Sequence, residues 1–184
     1  MIVETKLFTL KDGRSCLLRS ARIGDADNLI AFMVLAAAES PYLISYPDEI
    51  SVNAEFEGAL IERISQSADE MLLIAEYGGR LAGFATTMKR TSRRKVRHRI
   101  EMGITVKKSL WGKGIGRQLV QTIIEASRAG GLEQIELGVF AGNERARRLY
   151  EAMGFVETGF TPNAAKLDDG TVLGEYRMMR TLTE

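Results

Sequence analysis

Three glycines at alternate positions, Gly112, Gly114 and Gly116, mark a segment built to hold a phosphate. They interleave with Lys113 and Ile115, precede Arg117, and join an apolar run, Ile100 to Val106, to an amphipathic stretch, Gln118 to Arg128. Glycine reaches φ values closed to other residues and lets the backbone come close to a ligand. A helix beginning there turns its unbonded N–H groups and the positive end of its dipole on the same spot. Amides from Gly112 through Arg117 therefore suit a diphosphate.

Two common phosphate motifs are excluded. The dinucleotide fingerprint G-x-G-x-x-G would need its last glycine at Arg117, and no G-x-x-x-x-G-K-[ST] occurs. A second informative segment runs from Leu137 to Phe155. In it Asn143 stands where a helix N-cap is expected. Ala146, Leu149, Tyr150 and Met153 repeat at helical spacing, and Gly154 offers a left-handed stop.

Together the two segments resemble the GNAT superfamily of N-acetyltransferases. Its acetyl-CoA loop reads Arg or Gln, two residues, Gly, one residue, then Gly or Ala; Gly114 and Gly116 match, and Trp111 replaces the Arg or Gln. The family also ends its cofactor half with a strand, an Asn opening a helix, a Tyr two turns on and a Gly-Phe. That pattern is met by Asn143, Tyr150, Gly154 and Phe155. The resemblance covers about Met71 to Phe155 well and the two ends by pattern only.

The resemblance implies a mixed α/β (α+β) fold with a mostly antiparallel central sheet, splayed at an acetyl-CoA cleft and flanked by about four helices. Backbone groups of Ile104, Thr105 and Val106 would pair with the pantetheine arm. Gly112, Lys113, Gly114, Ile115, Gly116 and Arg117 would hold the diphosphate, and Asn143 and Ala146 would close the other side. It makes Tyr150 the general acid for the departing thiolate and a backbone N–H near Thr105 or Val106 the oxyanion donor.

The base follows from the chemistry. An alkylamine with a pKa near 10 arrives protonated, so a group must remove a proton before nitrogen attacks. Glu101 is a lone carboxylate in an apolar strand, on the face opposite Ile100 and Met102. If that face lines the cleft, partial burial raises its pKa toward a useful value; otherwise Glu101 is a solvated surface glutamate. Relatives that acetylate protein amino termini often carry a glutamate where this chain has Gly138. That absence points to a small-molecule amine as acceptor. Protein N-terminal or lysine acetylation, and a non-catalytic acyl-CoA sensor, stand as alternatives.

The elements that must position these groups are legible in outline. Asp12-Gly13 turns a hairpin between Leu7 to Leu10 and Ser15 to Leu18. Asp25 caps a helix to about Ala38 whose apolar stripe is Ala26, Leu29, Ile30, Met33, Val34 and Ala37. A second helix, with Phe56, Leu60, Ile61 and Ile64 inward, ends near Ser67. Strands at Met71 to Tyr77 and Leu81 to Lys89 flank Gly78-Gly79. A strand at Gln134 to Val139 precedes the Asn143 helix, and a last pair surrounds Asp168-Asp169-Gly170. The substrate wall is expected from Ala37 to Ile50 and from Phe160 to Glu175.

Composition fits one domain of 184 residues, expected to bury about 70% of its unfolded surface. No apolar run nears the roughly 20 residues of a membrane span, and Met1 to Leu10 lacks a signal-peptide pattern, so a cytoplasmic protein is expected. The single Cys16 reads as a small buried strand residue. With one histidine, His98, and no Cys/His spacing, no metal site is expected. Net charge is +1, yet Lys89, Arg90, Arg93, Arg94, Lys95, Arg97 and Arg99 crowd one stretch without an acid. That run reads as a solvated hairpin or a guide for an anionic partner such as RNA or CoA. Its lack of aromatics argues against single-stranded nucleic acid. Oligomeric state stays open, a homodimer included.

Overall fold

In a computed structural model, which describes residues 1–91 and 93–183, eight strands form one sheet. Ser92, inside the basic stretch, lies outside the described residues. The strands are β1 (Lys6–Thr9), β2 (Ser15–Ser20), β3 (Met71–Tyr77), β4 (Arg80–Met88), β5 (Arg99–Val106), β6 (Gln134–Phe140), β7 (Val156–Lys166) and β8 (Val172–Thr181). They lie in the order β1-β2-β3-β4-β5-β6-β8-β7, antiparallel except for β5 beside β6. The expected GNAT-like architecture is the one found, with four α-helices: α1 (Ala26–Glu39), α2 (Ala54–Gln66), α3 (Ile115–Ala129) and α4 (Glu144–Ala152).

The strand β3 is apolar along most of its length, with Met71 to Ala75 all buried, because helices cover both faces of the sheet there. On one side α3 buries Leu119, Val120, Ile123 and Ile124 against Leu73, Ile100, Ile135 and Leu137; Tyr150, Met153 and Phe155 complete that core. On the other, α1 and α2 pack Leu29, Ile61 and Ile64 on Leu72 and Ile74. Cys16 is buried as expected, and burial pushes its thiol up to about 11.

The helix α1 is rotated from the sequence expectation, and α2 departs from it at Phe56 alone, with Leu60, Ile61 and Ile64 packed inward as expected. The residues of α1 that become buried are Ala26, Leu29, Phe32 and Ala36, with Phe32 meeting Phe84 edge-on at 6.0 Å. In α2, Gly58, Ile61 and Ile64 face inward, and Phe56 stands 62% exposed. The helix α1 is apolar nearly all round and admits several stripes, and the contact of Phe32 with Phe84 selects one. Asp25 does not cap α1 with its side chain. Its carboxylate accepts from the Arg19 guanidinium at 2.7 Å and from the Arg22 N–H at 2.7 Å. That pairing holds Asp25 below the usual carboxylate range.

The feature that matters for function is the fork between β5 and β6. Their parallel pairing runs only from Arg99↔Gln134 to Glu101↔Glu136, after which the strands part. Antiparallel neighbours continue on both outer sides, Gly83 to Met88 along β5 and Glu175 to Thr181 along β6. The opening is therefore held from outside while its inner edges lack a strand partner.

Candidate active site

A cavity of about 670 Å³ fills this fork. Gly103 to Val106 and Gly138 to Phe140 form its two walls, the glycine loop and the start of α3 close one end, and Asn143, Arg145, Ala146, Leu149 and Tyr150 of the α4 segment form its roof. Tyr42, Leu43, Ile44 and Glu175 bound the other end. That size suits a ligand site. A linear donor carrying a diphosphate fits its shape and polarity: backbone donors stand at one end and an apolar channel leads away.

At the donor end the backbone is ready for an anion. Gly112 and Gly114 hold φ of 76° and 101°, and a Cβ on either would enter open space. The first helical bond of α3 runs from the Gln118 N–H to the Gly114 carbonyl, so the amides of Ile115, Gly116 and Arg117 have no partner within the helix. Gly116 has a different task from its neighbours. A Cβ there would press on Leu149 at 3.1 Å, so this glycine lets α3 close against α4.

Three expectations are corrected here. First, Lys113 is absent from the cavity wall; its ammonium donates to Asp12 in the β1–β2 turn at 2.7 Å, pinning the loop to the hairpin. Second, Thr105 cannot offer its backbone to a ligand. Antiparallel bonding alternates, and because the Lys107 N–H bonds Ala82, the backbone groups of Thr105 face β4. Ile104 and Val106 instead direct theirs into the fork. The Val106 carbonyl is already taken by the Trp111 indole N–H at 2.6 Å, leaving its N–H for a ligand.

Third, Glu101 is not raised toward a neutral pKa. Arg90 donates to it at 2.7 Å and the Arg177 guanidinium approaches to 3.0 Å, and these arginines outweigh burial to hold its carboxyl below the usual range. It lies on the cleft side of β5, two residues before Gly103 and at the last rung of the β5–β6 pairing, outside the cavity wall proper. It is therefore neither the elevated base nor a solvated surface glutamate. It is an ionised carboxylate at the crotch of the fork.

Tyr150 is 5% exposed and packs on Phe155 while lining the cavity. Burial pushes its phenol pKa up, so the proton stays on oxygen at neutral pH. Asn143 caps α4, its side chain accepting from the Ala146 N–H at 3.3 Å. Gly154, at φ of 80°, ends that helix as its sequence suggests.

Arg145 escapes the sequence reading, while Tyr42 and Glu175 lie in the stretches expected to form the substrate wall but make contacts the sequence does not show. Arg145 lays its guanidinium 3.4 Å from the centre of the Trp111 ring, which returns to the loop the cation that the Trp replacement removes. Tyr42 donates to the Gly142 carbonyl at 2.9 Å, tying the loop after α1 to the start of α4. Glu175 reaches over Gly138 from β8. Only spacing within each segment is visible in a sequence, and these contacts join segments far apart.

Part of the basic stretch is also accounted for. Lys89 pairs with Asp69, Arg90 with Glu101 and Arg99 with Glu136. Among the described residues no cluster of His, Cys, Asp or Glu is placed to hold a metal, and no helix is long and apolar enough to cross a membrane.

A family model described as the acetyltransferase (GNAT) family matches residues 29–155. L-amino acid N-acyltransferase MnaT of Escherichia coli is 29% identical over 105 residues, 57% of this chain and 58% of that protein. The chain thus spans little over half of that relative. The L-methionine sulfoximine/L-methionine sulfone acetyltransferase of Pseudomonas aeruginosa is 24% identical over 152 residues, 83% of this chain and 87% of that enzyme. A solved acetyltransferase of the GNAT family from Streptococcus pneumoniae superposes with a TM-score of 0.87 at 28% identity, covering 90% of this chain and 99% of that one.

Proposed function

This chain belongs to the GNAT family of acetyltransferases, and from that membership we propose that it moves an acetyl group from acetyl-CoA to the primary amine of a small, amino-acid-like molecule. Transfer is direct, with both substrates bound together. The observation that carries this reading is the forked cavity, with an anion-ready backbone at one end and a protonated phenol between that end and the acceptor wall. The relatives named for L-amino acids and for L-methionine sulfoximine and sulfone support the acceptor class.

Each step falls to a residue of this chain. Amides of Gly112, Gly114 and Ile115 to Arg117 hold the diphosphate, while the Val106 N–H aligns the arm as an added strand would. The bound donor supplies a thioester carbonyl. Glu101, ionised at the crotch and beyond the cavity wall, takes the ammonium proton through a water and passes it on to solvent, since a carboxylate held below the usual range does not retain a proton from an amine of pKa near 10. The freed amine attacks the carbonyl carbon, whose developing negative oxygen meets the Ile104 N–H, the inward amide nearest the fork. As the carbon–sulfur bond breaks, Tyr150 gives its proton to the thiolate, and the second proton shed by the acylated nitrogen returns the phenol to its neutral form.

Thiol release from acetyl-CoA over a panel of amino acids, amino-acid sulfones and simple amines tests this. We expect turnover with at least one small amine. Tyr150→Phe should cut kcat about 10- to 100-fold at unchanged CoA affinity, since a thiolate of pKa about 8.5 leaves slowly without help. CoA binding without turnover on any amine would favour the acyl-CoA sensor instead.

A further inference from the structure

The floor of the acceptor end is paved by two glycines, Gly103 on β5 and Gly138 on β6, each two residues past the last rung of the fork and on the same face as it. Over Gly103 there is open space. Over Gly138 there is none, because a Cβ would come within 2.7 Å of the Glu175 carboxyl carbon and 3.2 Å of an Arg177 nitrogen. The register explains the overlap. Gly138 pairs with Arg177 and Phe140 with Glu175, so Glu175 and Arg177 stand on the cleft face of β8, and the Glu175 side chain leans back across the vacant glycine.

Arg177 sits between two carboxylates and treats them unequally. Its guanidinium is 3.0 Å from Glu101 but only 3.9 Å from Glu175, and among the described residues no hydrogen bond reaches the Glu175 carboxylate. Glu175 nevertheless lines the cavity and is about as shielded as Glu101, at 29% and 31% side-chain exposure. Glu39, the other carboxylate on the wall, is engaged by the Lys108 N–H at 2.8 Å. The cations on the wall, Lys11, Arg117 and Arg145, are none of them on β8. A half-shielded acceptor with unspent lone pairs, facing an aromatic and aliphatic wall, is matched by an ammonium donor.

We infer that Glu175, laid over Gly138, is the carboxylate that receives the acceptor's ammonium group and holds its nitrogen at the fork, one step from Glu101. The inference deepens the acetyl-transfer reading and rests on it for the acceptor's class. It makes Glu175 an acceptor-binding residue. Arg177 keeps Glu101 anionic and steers it toward the same nitrogen, so that the proton leaves to Glu101 while Glu175 retains its contact. The missing side chain at Gly138 is then the space into which a carboxylate from the next strand is delivered.

The test separates anchoring from turnover. NMR titration of CoA-saturated protein with n-butylamine and with L-methionine sulfone reads binding whether or not catalysis follows. Glu175→Gln should weaken the tighter of the two about 10- to 100-fold, the loss expected for one charge-assisted contact, while CoA affinity stays within twofold. Gly138→Ala should imitate it by pushing the carboxylate aside. The double variant Gly138→Glu/Glu175→Gly, which returns a carboxylate to the same space, should recover at least half of the logarithmic loss. Where an amine turns over, KM for that amine should rise in Glu175→Gln far more than kcat falls. Unchanged amine affinity in folded Glu175→Gln overturns the inference. So does failure of both probes to bind the wild-type protein. Binding that depends on Glu175 without any thiol release would uphold this site and sink the acetyl-transfer reading alone.

Discussion

The two ends of the cavity are made of different materials. The donor end is backbone: amides of the glycine loop and α3, and the inward N–H groups of Ile104 and Val106. The acceptor end is side chains: Tyr42 and Ile44 from the loop after α1 and Glu175 from β8, with the Glu101–Arg177 ion pair just beyond the wall. Backbone recognition is written in short stretches of sequence, because it needs only residues that permit a conformation. Side-chain recognition is written in pairs of strands whose register no local pattern reveals. The donor end is thus suited to one constant ligand, and the acceptor end can change by single substitutions without disturbing it.

The most severe way to break this division is at Gly114. Its φ of 101° is strained for any β-branched residue, and a side chain there projects into the open space the diphosphate needs. Gly114→Val should reduce CoA affinity by about 10²-fold or more by calorimetry, with a strain cost of about 1–3 kcal/mol in stability. Acceptor-side contacts such as Arg177 to Glu101 should persist. An unchanged CoA affinity in a folded variant would mean that the loop is an ordinary turn, and the contrast between the two ends would collapse.

How much could be read from the sequence divides along the same line. The hairpins, the strand before the loop, the Asn143 cap and the Gly154 stop were all legible, since each depends on residues within one or two turns of each other. The inward face of α1 was not, because Leu, Ile, Met and Val occur all round that helix and only Phe84, on another element, selects Phe32. The direction of the Thr105 backbone is not legible locally, because alternation of backbone groups depends on which strand lies on each side. The cleft-side position of Glu101 is legible from strand alternation, but its low pKa is not, for the arginines responsible lie on β8 and beyond β4. Glu175 could have been suspected from Gly138, where a strand residue without a side chain invites a neighbour's.

A smaller effect, confined to the acceptor end, is expected at Glu101. Glu101→Gln preserves shape and removes the proton acceptor, so kcat should fall about 10²-fold near neutral pH with CoA affinity intact. The pH dependence sharpens the assignment. Arg90 and Arg177 hold the Glu101 pKa below 4.5, so it is ionised throughout the neutral range, and any rise in wild-type rate between pH 6 and 9 reports the acceptor amine instead. The Gln variant should therefore recover toward wild type at high pH, where free amine is abundant. An acid limb in the wild-type profile near pH 7 that vanishes in Glu101→Gln would show a raised carboxyl and contradict the ion pairing.

The smallest effect tests whether the donor end truly relies on backbone. Lys113 lies in the middle of the loop, and a cation there would be expected to reach a phosphate. Its ammonium is instead bonded to Asp12, and the Lys113 carbonyl accepts from the Lys11 N–H at 3.1 Å. Leaving Asp12 for a phosphate would exchange one ionic contact for another, so the net gain for binding is slight. Lys113→Ala should accordingly weaken CoA by less than about twofold. Its consequence lies in the hairpin. Lys113 holds the Asp12 carboxyl below its ordinary value of 3.8, so its stabilising effect is complete above that pH and is lost as pH falls through the lower, folded value. The melting temperatures of wild type and Lys113→Ala should therefore differ slightly at pH 7 and converge below about pH 3.8. A tenfold loss of CoA affinity, with no convergence of melting temperatures in acid, would place Lys113 on the phosphate and make charge a partner of geometry at the donor end.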